Sequence, residues 1–360
     1  MRRANWRRLS AGTLATAIAL TLASPSTSQT CTTPNLTVFA TGLTNPRHIR
    51  FGPDGLLHVT EAGIGGSQLA TCEPVDNAFT VVHPYMAGFT GRISRILPDG
   101  TRQTVIEALP SSRDGYDDAF GPTDVAWIGG TMYVLIQGGG CSRGLPNDPA
   151  GIIRVNDDGS YAYVADISTF IRQNPPVVEP LCGPSGDCEP DGVPHTMLAH
   201  GNRLYVVETN HNSILRVDPT TGAITRLYDL SVQDPAPITM IRKGEDFYLG
   251  DFDGLIQTFD HKLGPVSTID EGYGGIVDLT IVSNRIHVLE TSSAATPFAP
   301  NSGSVIRRDK DGGRTVIACE LNFPVGMAKS PDGSALFVST VGYGQGAVEG
   351  LGEIVRIALH

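Results

Sequence analysis

Apolar and polar residues alternate along this chain in short runs, and the runs come in pairs joined by tight turns. One unit reads NPRHIRFGPDGLLHVTEAG from Asn45. It returns as GPTDVAWIGGTMYVLIQGG from Gly121, VPHTMLAHGNRLYVVETNHN from Val193 and APITMIRKGEDFYLGDFDG from Ala236. GIVDLTIVSNRIHVLETSS from Gly275 and FPVGMAKSPDGSALFVSTVGY from Phe323 complete the series. Alternating runs rich in β-branched and aromatic residues predict strands, and Asp-Gly or Gly-Gly between two of them predicts an antiparallel hairpin. A weaker second hairpin follows each unit, as in GRISRILPDGTRQTVIEAL (Gly91–Leu109), GIIRVNDDGSYAYVADI (Gly151–Ile167) and SILRVDPTTGAITRLYDL (Ser213–Leu230). The sixth unit has only GEIVRIALH (Gly352–His360).

Two hairpins make a four-stranded sheet with two apolar faces to cover. Arranging six such sheets around an axis buries each face against its neighbour. The pattern therefore predicts an all-β, six-bladed β-propeller formed by residues 31–360 as one domain, with strands A to D running outward from the axis. The sixth unit lacks its outermost strand. LTVFATG (Leu36–Gly42) resembles the outer strands TVIEAL and TVIACEL, and it is expected to pair with GEIVRIAL and close the ring.

The A–B and C–D turns are short and share one face of the disc. Every long insertion falls in the B–C and D–A connections on the other face: Ala62–Thr90, Gln137–Ala150, Ser168–Pro194, Thr291–Ser302 and Thr340–Leu351. Ser168–Asn174 reads as a short helix capped by Ser168, and Glu189-Pro190-Asp191-Gly192 as a turn. A rigid scaffold with its long loops gathered on one side predicts a binding face there.

Composition agrees with this reading. Gly (42) and Pro (25) are abundant enough to require many turns and to exclude a helical bundle. The formal charge of −11 becomes more negative without Arg2, Arg3, Arg7 and Arg8, which argues against a nucleic-acid partner. MRRANWRR followed by LATAIALTLA (Leu14–Ala23) reads as a signal peptide over residues 1–28. Its apolar run is too short to span a membrane, and no other run approaches that length, so the mature chain is expected outside the cytoplasm. There six cysteines favour disulfides. The predicted order of strands suggests Cys72–Cys141 between loops of neighbouring blades, Cys182–Cys188 closing a small loop, and Cys31–Cys319 stapling the ring. No Cys-x-x-Cys, Gly-x-Ser-x-Gly, His-Glu-x-x-His or P-loop motif occurs.

Taken together, several segments carry a family resemblance: FATGLTNPRHIRFGPDGLLHVTEAG, the Cys72 loop, GFTGRISRILPDGTR, GGGCSRGLPNDPAGIIRVNDDG, EPDGVPHTM, VVETNHNSILRVD and FPVGMAKSPDGSALFVS. Over nearly the whole mature chain the sequence resembles the ScyD/ScyE family, secreted propellers named for members encoded with scytonemin biosynthesis. The resemblance implies a six-bladed propeller and transfers no catalytic residues. GLTNPRHIRFGPDGLLHVTE is also similar to the opening of soluble quinoprotein glucose and sorbosone dehydrogenases, and VVETNHNSILRVDP to an NHL repeat. Gluconolactonase-like calcium propellers share the architecture but place an acidic ligand where this chain has Arg47-His48.

Side chains at the starts of the A strands can converge on the axis: His48, Asp124, His195, Thr196, Thr239 and Asp278. The ends of the B strands add Glu61, Glu208, Asn210, His211, Asp251, Asp253 and Glu290. Glu61, Asp124, His195, Thr239, Asp251, Asp278 and Glu290 are candidates for ligand binding. Asp124, Glu208, Asn210, Asp251 and Asp278 are candidate oxygen donors for Ca²⁺, a hard cation that takes six to eight of them. His195 or His48 could serve as a general base. The leading expectation is a secreted binding or accessory propeller that holds a small molecule or protein on the loop face. A calcium-dependent hydrolase or lyase of the lactonase type is the alternative, and a quinone-dependent sugar dehydrogenase the third.

Overall fold

A computed structural model describes residues 35–70, 84–183, 186–260, 262, 264–292, 299–343 and 346–359. The expected signal peptide lies outside them. Among the described residues no helix is long and apolar enough to cross a membrane.

The strands form six antiparallel sheets. Their A strands are Pro46–Phe51, Pro122–Ile128, Pro194–His200, Pro237–Lys243, Ile276–Val282 and Met327–Lys329, taken from blade 1 to blade 6. Their B strands are Leu57–Glu61, Thr131–Ile136, Arg203–Glu208, Asp246–Asp251, Arg285–Glu290 and Ala335–Thr340. Strand D of blade 6 is Leu36–Leu43, which pairs with Gly352–Ala358 through Leu36↔Ile357, Val38↔Val355, Ala40↔Ile354 and Leu43↔Gly352. The ring is thus closed by the chain's own beginning and end, as the orphan strand predicted.

Burial shows why the blades need one another. Buried apolar residues sort into six clusters, one at each junction between neighbouring blades. Leu135 and Ile152 of blade 2 pack with Leu204 and Leu215 of blade 3. Leu43 and Ile354 of blade 6 pack with Ile49 and Val59 of blade 1. Each fully buried aliphatic side chain contributes roughly 1.5–3 kcal/mol through area removed from water. A blade alone would leave both such faces wet.

Two details depart from the sequence reading. Strands C and D of blade 1 run on as Met86–Ile96 and Arg102–Arg113, and they carry the short strands Gln68–Leu69 and Ala119–Phe120. Part of the predicted loop Ala62–Thr90 is therefore sheet that extends beyond the blade. The short helix is Ile167–Gln173, and its cap is Asp166, whose carboxylate accepts from Thr169 N (2.7 Å) and Thr169 Oγ1 (2.7 Å). Ser168 lies inside the first turn and instead accepts from Ala150 N (3.0 Å). The acid wins because it also suits the helix N-terminus electrostatically.

Cys182 and Cys188 form the expected disulfide, with a Cα–Cα distance of 4.8 Å. Cys141 and Cys319 are also disulfide-bonded; Cys72 and Cys31, their expected partners, lie outside the described residues.

Candidate functional site around the axis and its loop face

The A strands of blades 1 to 5 each carry one extra residue near their start relative to strand B, for example between Pro122 and Asp124 and between Pro194 and Thr196. Such bulges re-aim side chains. The register sets His48, Asp124, Thr196, Thr239 and Asp278 at equivalent inner positions, with Gly326 as the sixth member by alignment. A Cβ on Gly326 would stand 2.6 Å from the Cα of His48, so only glycine fits there.

These residues link one blade to the next. Thr60 Oγ1 of blade 1 lies 2.9 Å from Thr123 O of blade 2. Thr123 Oγ1 donates to His195 O (2.9 Å), and Thr196 Oγ1 to Ile238 O (3.0 Å). Thr239 Oγ1 donates to Asp278 Oδ1 (3.0 Å), and Met327 N to Asp278 Oδ2 (2.8 Å). Ser339 Oγ donates to Arg47 O (2.7 Å) and completes the circuit. The buried hydroxyls and carboxylates near the axis thus satisfy backbone groups that the bulges release from the ladders.

Inside this belt lies a charged cluster. Arg50, two residues beyond His48, donates from Nη2 to Asp124 Oδ2 (2.9 Å) and from Nη1 to Asp278 Oδ2 (3.0 Å). Asp124 also accepts from Val125 N (2.8 Å) and Met197 N (3.0 Å). Asp278 further accepts from Leu279 N (2.8 Å), and His48 Nδ1 lies 3.3 Å from its Oδ2. Burial acts to raise the Asp278 carboxyl, but Arg50, His48 and the Met327 amide outweigh it and hold it below the carboxylate range. Burial likewise acts to lower Arg50, and Asp124 and Asp278 reverse that.

His48 Nε2 lies 3.3 Å from His195 Nδ1. The ionised Asp278 requires a proton on His48 Nδ1. Which of the two facing nitrogens carries the proton between them sets the tautomer of His195. Burial, then the charges of His48 and Arg47, hold His195 well below the ordinary imidazole value, so it is neutral at physiological pH.

The remaining candidates do something else. Glu61 accepts from Thr44 N (2.7 Å), Glu208 from Val193 N (2.7 Å) and Glu290 from Gly274 N (2.6 Å). The B strands of blades 1, 3 and 5 therefore end in an acid that ties down the corner leading into their own A strand. Glu61 also meets Arg92 (3.1 Å), Arg102 (3.2 Å) and Ser94 Oγ (2.5 Å). Asp251 holds the matching register position in blade 4. Its shorter side chain accepts from Leu255 N (2.8 Å), and its buried Oδ2 takes no partner among the described residues. Burial, with the nearby Asp253 charge, lifts this carboxyl to about 7. Asn210 accepts from Glu189 N (2.9 Å), and His211 Nδ1 lies 3.4 Å from Glu208. The five candidate calcium donors are thus spread over separate places. Among the described residues no group of three or more His, Cys, Asp or Glu side chains is arranged to hold a metal. With Arg50 bonded to both Asp124 and Asp278, these two carboxylates are not free to hold a divalent ion as they stand.

Several residues of the loop face were not singled out from sequence. Arg143 is fully buried; it meets Glu189 Oε2 (3.0 Å) and Gln137 O (2.8 Å). Tyr85 OH donates to Glu189 Oε1 (2.5 Å). Asp191 takes Ser142 and Arg172, while Gly192 N bonds Glu189 O (2.7 Å), so the Glu189–Gly192 segment is the expected turn, held by buried ion pairs. Arg47 is buried beside Tyr343, its centre 5.3 Å from the ring, and donates to Ala119 O; its Nε takes no partner among the described residues. Asp114 is buried, its Oδ2 has no partner among the described residues, and burial, with a further push from Asp118, lifts it to about 7. The sequence signal available for Tyr85, Arg143, Glu189 and Asp191 was only their place in the long insertions, and Arg47 and Asp114 lie outside those.

No family model and no curated protein sequence matches the chain. Solved structures do. A Bacteroides thetaiotaomicron protein of unknown function aligns over 90% of this chain and 75% of its own, with 10% identity and a TM-score of 0.56. A provisionally assigned gluconolactonase aligns over 90% and 91%, with 9% identity and a TM-score of 0.53. A Xanthomonas campestris gluconolactonase aligns over 91% and 99%, with 11% identity and a TM-score of 0.49. At these identities the likeness is one of fold: the chain is a six-bladed β-propeller.

Proposed function

We propose that the mature chain is an extracytoplasmic binding propeller of the kind the ScyD/ScyE resemblance implies, holding a small molecule or a protein partner on its loop-rich face at the mouth of the channel. The observation that carries this reading is the division of labour around the axis. Glu61, Asp124, Glu208, Asp278 and Glu290 are committed to the scaffold, whereas the half-buried His195 keeps its Nε2 without a partner among the described residues, beside Arg47. A neutral imidazole nitrogen, donor or acceptor according to its tautomer, next to a buried guanidinium suits a ligand that brings a hydroxyl, which can serve either tautomer, and an acceptor.

The test is thermal unfolding of the mature chain, of His195→Ala and of Arg47→Met against a panel of monosaccharides, aldonolactones and phenolic acids. A ligand of this face raises the wild-type midpoint and leaves both variants unmoved. Equal shifts in all three proteins would place binding elsewhere and reject the reading.

The calcium-dependent lactonase is the second reading. The fold shared with the gluconolactonase structures supports it. The bridging of Asp124 and Asp278 by Arg50 speaks against it. Calcium-dependent release of acid from an aldonolactone would reverse this order.

A further inference from the structure

In a closed ring of six blades, the second and the fifth stand on opposite sides of the axis. Asp124 belongs to the second and Asp278 to the fifth, and both are fully buried. Two buried carboxylates aimed at the same axis repel each other, and a positive charge between them offsets that repulsion. In many proteins that charge is a divalent cation held by converging oxygens. Here it is a side chain: Arg50 reaches in from blade 1 and places one guanidinium nitrogen on each carboxylate, at 2.9 and 3.0 Å.

Alignment of the six units shows how specific this is. The position of Arg50 is Ala126, Leu198, Ile241, Thr280 and Ala328 in the other blades. One repeat carries the cation, and two others carry the acids it joins. The planar guanidinium suits the task, because it delivers two charge-assisted bonds in fixed directions and does not lose its proton. Its side chain remains 25% exposed, so the space it fills opens to solvent.

We propose that Arg50 is the resident cation of the axis. It does for Asp124 and Asp278 the electrostatic work that a divalent metal would do, so the fold needs no metal there, and removing the guanidinium turns the same carboxylates into a calcium-responsive site. The inference does not depend on the binding reading above. It concerns the cluster beneath the loop face, and its test does not involve a ligand of that face.

The experiment compares the mature wild type with Arg50→Met, Arg50→Lys and Arg50→Met/Asp124→Asn. Each is unfolded thermally in chelator and in millimolar calcium, with calcium binding followed by titration calorimetry. The wild type is expected to unfold at the same temperature in both conditions and to give no binding heat. Arg50→Met should unfold several degrees lower in chelator, recover at least half of that loss in calcium, and bind calcium measurably. Arg50→Lys keeps a charge but loses the two-pronged geometry; it should fall between them and ignore calcium. Should Arg50→Met not fold in chelator, the double variant should, because it removes one of the two repelling charges; it too should be indifferent to calcium.

A calcium response in the wild type would overturn the proposal. So would an Arg50→Met protein as stable as the wild type, or one destabilised equally with and without calcium. Failure of Asp124→Asn to rescue an Arg50→Met chain that does not fold in either condition would show that Arg50 acts by packing, and would also overturn it.

Discussion

His48 Nε2 lies 3.3 Å from His195 Nδ1, and on the far side of the same ring His48 Nδ1 lies 3.3 Å from Asp278. Side chains of blades 5, 1 and 3 are thereby joined through the axis. Burial, His48 and Arg47 disfavour the charged form of His195, while Asp278 works weakly the other way. The folded chain therefore binds fewer protons here than the unfolded chain. The resulting stability is present above the ordinary value of 6.5 and is lost as the pH falls below it. Asp114 and Asp251, both lifted to about 7, change in the opposite sense on the acid side, so the comparison must be between variants. On acidification from about pH 8 to about pH 5, His195→Gln should lose less stability than the wild type. The difference should approach roughly 1.4 kcal/mol per pH unit below the unfolded value. Parallel curves of thermal midpoint against pH would show that His195 is not the group responsible.

The corner acids invite a different comparison. Glu61 is buried against two arginines, a serine hydroxyl and the Thr44 amide, whereas Glu290 meets the Gly274 amide and Ser304 Oγ (2.6 Å). Glu61→Ala leaves Arg92 and Arg102 facing each other without a counter-charge, a class of change that costs about 3–5 kcal/mol. Glu290→Gln keeps an oxygen acceptor and should cost only about 1 kcal/mol. Denaturant unfolding of the two variants measures both values, and similar losses would mean that the arginine pair adds little.

These residues show where sequence reading succeeds and where it stops. The blades, their order and the closing strand follow from alternation, turn chemistry and the surplus strand at Leu36, because each depends on local patterns. The inner positions His48, Asp124, Thr239 and Asp278 were legible as a set once the repeats were aligned. Arg50 was not, since an arginine in a strand reads as a solvent-facing residue until the opposing acids are placed. The corner function of Glu61, Glu208 and Glu290 was equally hidden. It requires knowing that the amides of Thr44, Val193 and Gly274 lose their ladder partners where the chain turns inward. A systematic sign existed, an acid at the end of strand B in several repeats, but the same sign fits a metal site.

Asp251 breaks that corner pattern, and a third prediction follows from the break. Its carboxyl is buried, with one oxygen on Leu255 N and the other without a partner among the described residues. Burial lifts it to about 7 from an unfolded value near 3.8. A carboxyl raised in this way favours the fold at low pH, and that contribution is lost as the pH climbs from about 4 to about 7. Asp251→Asn retains an acceptor for Leu255 N and removes the charge. It should stabilise the chain at about pH 8 by something on the order of 2 kcal/mol, with the gain fading toward about pH 4. An Asp251→Asn protein that is less stable at about pH 8 would point to a cation or a donor that uses the free oxygen.

The closing strand tests the architecture as a whole. Leu36–Leu43 is hydrogen-bonded along Gly352–Ala358, with Ala40 and Leu43 buried in the junction of blades 6 and 1. Without it, strand C of blade 6 becomes a bare edge, the apolar side of Ile354 is exposed, and the seam between first and last blades loses its clasp. In a propeller the other junctions depend on the ring staying closed, so the loss spreads beyond one blade. Truncation that removes residues through Leu43 should lower the thermal midpoint by ten degrees or more, or yield aggregated protein, because the unpaired edge can recruit another chain. Truncation before Leu36 should leave the fold in place as long as the disulfide at Cys319 is left out of the comparison, which requires both truncated chains to carry Cys319→Ser. Under that control, a Leu43 truncation that unfolds at the same temperature as the longer chain would mean that the ring is held by its blade faces alone.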